Sequence, residues 1–406
     1  MIKVGLDIGN SKISCAVCDF KINQKPRILA FVNLPTANLN KNANTNIYTL
    51  KKDISEIIEI AAKESQTEIQ SINLNVPING SNSYYYNSEI NIENEIINEL
   101  HLKKAINQSE YFGENENNYE LINDIIAYDL DKKIIHTDPI GNYANKIKLY
   151  FYKLLLDKKY LKNIFNLADD LKLNIDNLIP SPLSSALSTL SKDEKSLGTI
   201  CIDLGHSTTS TAIIENNKFI FGDSFLVGSS NVTNDIARGV STTLSSAERL
   251  KTLYGSIISS PSDEHEIIEI PFISGENDKF TQINRSTINS IIKPRIEETL
   301  EIIWQNIKQN NLHNKKIKNV VITGGGSQLE GIEEYARMIF SSNVRIGKPL
   351  EFLNLKDNFY NPSYSDIIGT TFFEKDEFSI GFMKKQSKNI KKPSFSGFFS
   401  WLDQYI

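Results

Sequence analysis

The chain has 406 residues, of which 40% are hydrophobic and 23% charged, and its formal net charge at pH 7 is -5. This length favours two or more domains or one large bilobed unit, and the composition is typical of a folded protein rather than a disordered one. The net charge excludes a global basic field, so nucleic acid is not expected as the main partner.

The first half of the chain predicts strands alternating with helices. Residues 2–8 and 13–20 are short apolar runs around a Gly-Asn turn, RILAFVNLP continues as a third strand, and KKDISEIIEIAAKESQ has helical spacing. Further helices are predicted in NEIINELHLKKAINQ, LKNIFNLADDLKL and PLSSALSTL. This alternation indicates α/β layers. Cys15 and Cys18 lack the second pair that a zinc site needs, and with Cys201 they are expected to be buried.

From Gly198 the pattern starts again, with TICIDLGHSTTSTAIIENN as strand, turn and strand and KFIFGDSFLVG as a third strand. Helices follow in SSNVTNDIARGV and SSAERLKTLYG, and a long helix is predicted in STINSIIKPRIEETLEIIWQNIKQN, where Pro294 should cause a kink or a break. NVVITGGGSQLEGIEEYARMIF predicts a strand, a triple glycine and a helix from near Gln328. The two halves predict duplicated lobes that face one cleft.

Asp7 and Asp203 begin the same polar turn in the two halves, with the order Asp, apolar, Gly, polar, Ser, two residues, Ser. Glycine lets the backbone approach phosphate closely, and the hydroxyl groups are donors. A carboxylate beside a polyphosphate requires a hard cation between them, and Mg²⁺ accepts few carboxylates together with phosphates and waters. Lys12 adds a positive charge for the β-phosphate region. The two turns therefore predict a nucleotide clamp with Mg²⁺ held by Asp7 and Asp203.

The triple glycine, Gly324 to Gly326, is predicted to lie against the sugar and α-phosphate of the nucleotide. Taken alone, an Asp-Gly turn or a glycine run is more often purely structural, but three such motifs in order favour nucleotide binding. The chain contains no GxxxxGK[ST], no GxGxxG after the first strand and no protein-kinase motif set, so those nucleotide-binding classes are excluded.

With these motifs in place, the sequence resembles the actin-like ATPase superfamily and, within it, the FtsA family of bacterial cell-division proteins. The resemblance extends over nearly the whole chain and is carried by GLDIGNSKI, IDLGHSTTS, VGSSNVTNDIARGVSTTLSSAERLKTLYG, VVITGGGSQLEGIEEYA and NPSYSDIIGT. It implies an α/β, actin-like (duplicated ribonuclease-H-like) bilobed fold with an inserted subdomain in each lobe and a C-terminal amphipathic membrane helix.

The resemblance also implies how the chain is divided. The first lobe comprises 1–83 and 159–197 with an inserted subdomain at 84–158, and the second lobe comprises 198–231 and 314–380 with a subdomain at 232–313. A basic linker at 381–392 and a membrane-targeting helix at 393–406 follow.

Carried over by position, the nucleotide-binding residues implied by the resemblance are Asp7, Gly9, Asn10, Ser11, Lys12, Asp203, Gly205, Thr208, Thr209, Glu248, Lys251, Gly324, Gly325 and Gly326. No catalytic side chain is assigned. Glu248 and Lys251 match a helix beside the adenosine, although their spacing alone favours a solvated helical charge pair.

The second turn departs from the family pattern. His206, Ser207, Thr208, Thr209 and Ser210 stand where the family usually has Gly-Gly-Thr-Thr-Asp. His206 crowds the turn, and Ser210 replaces a carboxylate that orients water. An imidazole in such a loop more often faces solvent than acts as a base. We expect ATP to be bound as an assembly switch, with slow or absent hydrolysis.

The C-terminal segment MKKQSKNIKKPSFSGFFSWLDQYI places five lysines between 384 and 392, before an aromatic segment. A helix over 393–406 is too short to span a bilayer but can lie in its interface, with the lysines near anionic headgroups. The membrane-facing side chains are then Phe395, Phe398, Phe399, Trp401, Leu402, Tyr405 and Ile406. The alternative is a terminal helix docked on the protein's own core.

The resemblance implies an ATP-binding, self-assembling cell-division protein that tethers FtsZ filaments to the cytoplasmic face of the inner membrane at the division site. It further implies that 232–313 binds the FtsZ C-terminal peptide and that 84–158 recruits later divisome proteins. The absence of a signal peptide and of an apolar run of ~18 residues agrees with a cytoplasmic, peripheral protein. Two alternatives remain: a PilM-type pilus-assembly scaffold, which would lack the terminal amphipathic helix, and a small-molecule kinase, which would need a further carboxylate base.

Overall fold

The computed structural model describes residues 1–22, 24–36, 47–109, 117–271, 280–310, 312, 317–350 and 352–374. The chain forms two compact units, one built from Met1–Ser81 with Leu156–Phe373 and the other around Asn82–Leu155. The basic linker at 381–392 and the membrane-targeting segment at 393–406 lie outside the described residues.

The elements of the larger unit, and those of the smaller one between them, follow one another along the chain. They are β1 (Ile2–Ile8), β2 (Lys12–Asp19), β3 (Arg27–Pro35), α1 (Ile47–Ser65), β4 (Ser71–Val76), β5 (Asn82–Ile96), α2 (Glu99–Asn107), β6 (Asn118–Leu130), β7 (Lys133–Ile135), β8 (Tyr143–Asp157), α3 (Lys158–Asp170), β9 (Asn174–Pro180), α4 (Ser181–Thr189), α5 (Lys192–Leu197), β10 (Thr199–Leu204), β11 (Thr209–Glu215), β12 (Lys218–Phe225), α6 (Ser229–Gly239), α7 (Leu244–Tyr254), β13 (Ile267–Pro271), β14 (Phe280–Asn284), α8 (Arg285–Gln309), β15 (Asn319–Thr323), α9 (Ile332–Phe340), β16 (Asn343–Ile346) and α10 (Ser365–Phe372).

The larger unit contains two five-stranded mixed sheets of the same topology. The strand orders are β3-β2-β1-β4-β9 and β12-β11-β10-β15-β16. In each sheet the first three strands form an antiparallel meander, and the last two run parallel to its central strand. The strands β2 and β10 are almost wholly buried, as expected for sheets covered on both faces.

The repeat is preserved at the level of single residues. Asp7 pairs with Ser14 across β1 and β2, and Asp203 pairs with Ser210 across β10 and β11. Each turn between these strands closes with a backbone hydrogen bond, from Gly9 N to Lys12 O at 3.0 Å and from Gly205 N to Thr208 O at 2.9 Å. The two polar turns are therefore copies of one local structure.

Two helices lie at the centre of the larger unit, α4 and α10. Almost every side chain of α4 is buried, and α10 packs on α4 and on β1 and β2. Gly369 of α10 permits this approach, since a Cβ atom there would collide with the carbonyl oxygen of Ser184. Ile367 and Ile368 join an apolar cluster with Phe31 of β3. The end of the described chain is thus held in the core.

The remaining part of the larger unit is formed by α6, α7, α8 and the β13–β14 hairpin. Contrary to the expected break, α8 is continuous through Pro294. Its buried apolar side chains, among them Ile288, Ile296 and Ile303, recur at helical spacing on both sides of the proline. Packing along this face stabilises the helix through the missing hydrogen bond.

The smaller unit is a four-stranded sheet of order β5-β8-β6-β7 with α2 packed against β5. Its core contains Tyr86 and Phe151, whose rings stack at 4.6 Å. As predicted, Cys15, Cys18 and Cys201 of the larger unit are buried, and burial raises the pKa of each thiol to about 12. None of the helices in the described parts of the chain has the length and apolar character needed to cross a bilayer.

Candidate functional site

Asp7 stands at the end of β1 and is only 8% exposed. Its Oδ1 accepts a hydrogen bond from Asn75 Nδ2 at 2.9 Å, and Asn75 is its neighbour on the parallel strand β4. Ser184 Oγ of α4 donates in turn to Asn75 Oδ1 at 2.9 Å. The carboxyl group is therefore held in place by a two-step chain of hydrogen bonds from the central helix.

Asp203 occupies the equivalent position in β10 and is 9% exposed. Its Oδ2 accepts a hydrogen bond from Ser185 Oγ, the next residue of α4. Gly324 lies directly against its other oxygen, with φ at +84°, and a Cβ atom at this glycine would collide with Asp203 Oδ1. The first residue of the triple glycine is therefore required for the packing of the metal-site aspartate predicted from sequence.

The sequence interpretation missed a third carboxyl group, that of Asp366, near the start of α10. Its side chain is within hydrogen-bonding reach of Asp7. The residue lies inside the NPSYSDIIGT motif, but an acidic residue in the first turn of a helix is ordinary and gave no functional signal. Only the return of α10 to the first sheet brings it to Asp7.

Lys12 completes this group, and we call Asp7, Asp203, Asp366 and Lys12 the acidic cluster. Lys12 Nζ donates to the Ser363 carbonyl oxygen at 2.7 Å and lies 3.6 Å from the centre of the Tyr364 ring. Burial lowers the pKa of Lys12, while the carboxylates of Asp366, Asp7 and Asp203 oppose that effect. The ammonium group is thus already engaged by the chain.

Burial raises the pKa of each carboxyl group in the acidic cluster. For Asp203 the value reaches about 7, with the charge of Asp366 as the second cause. The pKa of Asp7 is raised well above its usual range by burial and then by Asp366 and Asp203, although Asn75 and Lys12 lower it. Three acidic groups face one ammonium group, so the fully ionised cluster carries excess negative charge in a poorly solvated place.

Ser14 adds an unpaired donor at the same place. It is fully buried, it lies directly across from Asp7, and its Oγ has no hydrogen-bond partner among the described residues. Cross-strand partners project from the same face of a sheet. No three His, Cys, Asp or Glu side chains in the described ranges are arranged to hold a metal ion by themselves.

Residues 361–366, which we call the 361–366 segment, join the first polar turn to the triple glycine. Besides binding Lys12, the segment accepts a hydrogen bond from Gly324 N at Pro362 O, 3.2 Å. Thr323 Oγ1 and Ser365 Oγ are 2.6 Å apart, and Asn361 Nδ2 donates to Gln328 Oε1 at 2.8 Å. This segment connects parts of the site that are more than 300 residues apart in sequence.

The chain after the triple glycine differs from the sequence prediction. Gly325–Gln328 forms a 3-10 turn, and α9 begins at Ile332 rather than near Gln328. Gly331 has φ at +84° and precedes the helix, so the chain changes direction before it can continue as a helix. The amide groups near the glycines therefore belong to a tight turn and not to the N-terminus of α9.

Glu248 and Lys251 do not form a solvated pair, contrary to the interpretation that their spacing favoured. The Lys251 side chain is 12% exposed, and its Nζ donates to Glu248 Oε2 at 2.7 Å, Thr233 Oγ1 at 2.9 Å and Ser229 O at 3.2 Å. The pair joins α7 to α6. His206 is exposed nearby, and burial of part of its ring lowers its pKa while Glu248 raises it.

The polar turns themselves divide into exposed and structural positions. Asn10 and Ser11 are exposed and Gly9 and Thr208 partly exposed, whereas Thr209 is buried and its Oγ1 donates to Val227 O at 2.7 Å. The Thr209 hydroxyl group is thus used to hold β11. The carbonyl oxygens of Gly205 and His206 accept hydrogen bonds from Ser229 N and Ser230 N, so the second turn also caps the start of α6.

Comparison with known proteins places this arrangement in context. The family model described as "Cell division protein FtsA" matches residues 200–369, which include the second turn, Lys251, the triple glycine and Asp366. A protein named "Cell division protein FtsA" from Agrobacterium fabrum is 28% identical over 380 residues, 91% of this chain and 86% of that protein. The protein of the same name from Escherichia coli is 25% identical, with 92% and 90% covered.

Solved structures share the fold. The PilM-PilN type IV pilus biogenesis complex aligns with a TM-score of 0.61 at 14% identity, covering 91% of this chain and 97% of that one. MreB5 of Spiroplasma citri bound to ADP aligns with a TM-score of 0.54 at 14% identity, covering 96% and 99%. At this identity the likeness shows the fold alone, which is actin-like α/β with mixed sheets.

Proposed function

The chain belongs to the FtsA family, the actin-like cell-division proteins of the divisome, and from this premise we propose that it binds ATP with Mg²⁺ at the acidic cluster. The observation that carries the proposal is the equivalence of Asp7 and Asp203. Each ends the central strand of a duplicated sheet, each precedes the same closed turn, and the charge of Asp203 contributes to the raised pKa of Asp7. The structure of MreB5 bound to ADP, which shares the fold, supports a nucleotide as the ligand.

Mg²⁺ fits the residues present. The donors in the acidic cluster are all oxygen atoms, the ligands that Mg²⁺ prefers, and the unpaired Ser14 hydroxyl group supplies one more polar atom beside Asp7. A cation held by Asp7 and Asp203 and completed by phosphate oxygens and waters needs no third protein ligand. When bound, it would neutralise charge on the phosphates.

The other residues take roles that depend on where they lie. Lys12 would exchange its bond to Ser363 O for a phosphate oxygen, and the exposed backbone of Gly9, Asn10 and Ser11 would face the phosphates from the first turn. Gly205 and Thr208 would do so from the second. Gly324, Gly325 and Gly326 with the Glu248–Lys251 pair would hold the nucleoside, since both border the second turn.

Hydrolysis is expected to be slow or absent. Ser210 lies directly across from Asp203 and is 5% exposed, at the position where the family pattern has a carboxylate. A serine hydroxyl group does not accept a proton from water at neutral pH as a carboxylate can. Nucleotide occupancy would then regulate assembly of the protein with itself into filaments.

We further propose that the segment 393–406 anchors the protein peripherally to the cytoplasmic face of the inner membrane at the division site, where it tethers FtsZ filaments. The FtsZ C-terminal peptide would bind 232–313, and later divisome proteins would bind 84–158. These proposals rest on family membership and on the lysines and aromatic residues of the C-terminal sequence. The relatives that cover most of the chain are named as cell-division proteins, which favours this function over a pilus scaffold or a small-molecule kinase.

Isothermal titration calorimetry tests the nucleotide proposal. The wild-type chain should bind Mg²⁺-ATP, and Asp203→Ala should weaken binding at least about tenfold because a cation ligand is lost. Asp170→Ala is the control, since this exposed carboxylate pairs with Lys51 on the surface of the same unit. Wild-type affinity in Asp203→Ala, or no binding by the wild type, would remove the acidic cluster from nucleotide recognition.

A further inference from the structure

Asp366 has no counterpart in the duplicated pattern of the two polar turns. Asp7 and Asp203 are repeat-related, but Asp366 comes from α10 and reaches the cluster through the tertiary fold. We propose that Asp366 makes nucleotide binding strictly dependent on a divalent cation, an inference that rests on the proposed nucleotide site.

The first reason is charge. With Asp366 present, three acidic groups surround one ammonium group, and the Asp366 and Asp7 carboxyl groups are within hydrogen-bonding reach of each other. Asp7, Asp203 and the partly exposed Asp366 side chain surround a site that also contains the unpaired, fully buried Ser14 hydroxyl group. A polyphosphate without a cation would be repelled by all three carboxylates, whereas a cation on its phosphates converts that repulsion into attraction.

The second reason is competition for Lys12. Among the charges acting on Lys12, that of Asp366 has the largest effect, and the adjacent Ser363 and Tyr364 hold its Nζ through a carbonyl oxygen and a ring face. A phosphate must draw Lys12 away from this segment. A cation that neutralises Asp366 and Asp7 weakens their hold on the ammonium group and so makes Lys12 available.

A purely structural role for Asp366 can be separated from this electrostatic one. Its Oδ1 accepts a hydrogen bond from the Ile367 amide at 2.7 Å, in the first turn of α10. Asn retains an acceptor oxygen at the same place and removes only the charge. Asp366→Asn therefore preserves the turn and tests the charge.

The experiment measures the dissociation constant of ATP for the wild type and for Asp366→Asn, once in Mg²⁺ and once in EDTA. The ratio of the EDTA value to the Mg²⁺ value reports the dependence on the cation. We expect this ratio to fall about tenfold in Asp366→Asn, mainly because binding in EDTA becomes tighter. Asp170→Asn, which removes one exposed carboxylate of the same unit, should leave the ratio within about twofold of wild type.

An unchanged ratio in Asp366→Asn, or weaker binding in EDTA, would overturn the inference. A wild type that binds ATP equally well in both media would also overturn it while leaving the nucleotide proposal intact, and a wild type that binds in neither would refute the nucleotide proposal itself. Should Asp366→Asn lower the melting temperature enough to prevent titration, Asp366→Ser, which keeps a short acceptor for the Ile367 amide, carries the same comparison. Mn²⁺ alone, followed by electron paramagnetic resonance, should bind more weakly to either variant.

Discussion

Ser184 and Ser185 are consecutive residues of α4 whose hydroxyl groups serve opposite halves of the acidic cluster. Ser184 Oγ donates to Asn75, which holds Asp7 of the first sheet, and Ser185 Oγ donates to Asp203 of the second. Both serines are fully buried. One turn of a single helix thus sets the positions of both repeat-related carboxyl groups.

The role of Ser185 can be tested by removing its hydroxyl group. Ser185→Ala leaves the buried Asp203 carboxyl group without this donor, which should lower the free energy of unfolding by about 1–3 kcal/mol. Urea denaturation measures the change. Ser181→Ala, at the partly exposed first position of the same helix, is the control and should change stability by less than about 1 kcal/mol. Equal effects of the two substitutions would contradict a specific role for Ser185.

The raised pKa of Asp203, about 7, predicts an unusual dependence of stability on pH. Between roughly pH 4 and pH 7 the unfolded chain ionises this group while the folded chain keeps its proton, so the folded state binds more protons. The group's contribution to stability is therefore lost as pH rises from about 4 to 7, and no further change is expected above that.

Asp203→Asn removes this ionisation, so in EDTA the variant should melt about 2–4 °C above wild type at about pH 7.5, and the difference should vanish towards about pH 4. Thermal unfolding across this pH range is the measurement. Asp170→Asn, whose carboxylate is exposed, should show no such trend. A difference between Asp203→Asn and wild type that is the same at every pH would show that burial does not raise the pKa of Asp203.

Gly324 and Gly141 separate two consequences of replacing a glycine. Both have φ in the left-handed region, at +84° and +90°, but a Cβ atom at Gly324 would collide with Asp203 whereas one at Gly141 meets no atom within 4 Å. Gly141→Ala should therefore cost only about 1–2 kcal/mol, the backbone strain. Gly324→Ala should cost clearly more and should also abolish Mg²⁺-ATP binding. Similar losses of stability for both would mean that the turn at Gly324 relaxes away from Asp203.

Deletion of residues 393–406 tests the membrane proposal. The truncated chain should keep its melting temperature and its ATP affinity but no longer sediment with vesicles that contain anionic lipid. Replacing the lysines between 384 and 392 by glutamine in the full chain should weaken sedimentation and remove its salt dependence. A marked fall in melting temperature with unchanged sedimentation would instead support a terminal helix docked on the protein's own core.

Local chemistry made the two polar turns readable from sequence. A strand that ends in Asp-apolar-Gly and resumes three residues later forms its turn through contacts within about eight residues, so the pairs Asp7–Ser14 and Asp203–Ser210 follow from the strand pattern itself. The buried cysteines and the duplicated strand order follow in the same way. By contrast, the start of α9 was misplaced because the 3-10 turn and Gly331 interrupt a helical pattern that side-chain spacing alone does not reveal.

The sequence by itself determined which residues form the turns and the alternating layers, because backbone geometry and the burial of apolar side chains act between near neighbours. The tertiary structure decided which groups meet at the acidic cluster: Asp366 beside Asp7, Lys12 on Ser363 and the serines of α4 between the two sheets. Lys12 and Ser363 are 351 positions apart, and no local preference specifies a contact over that distance. It arises only when α10 packs into the core and the energy of that burial fixes where its first turn lies.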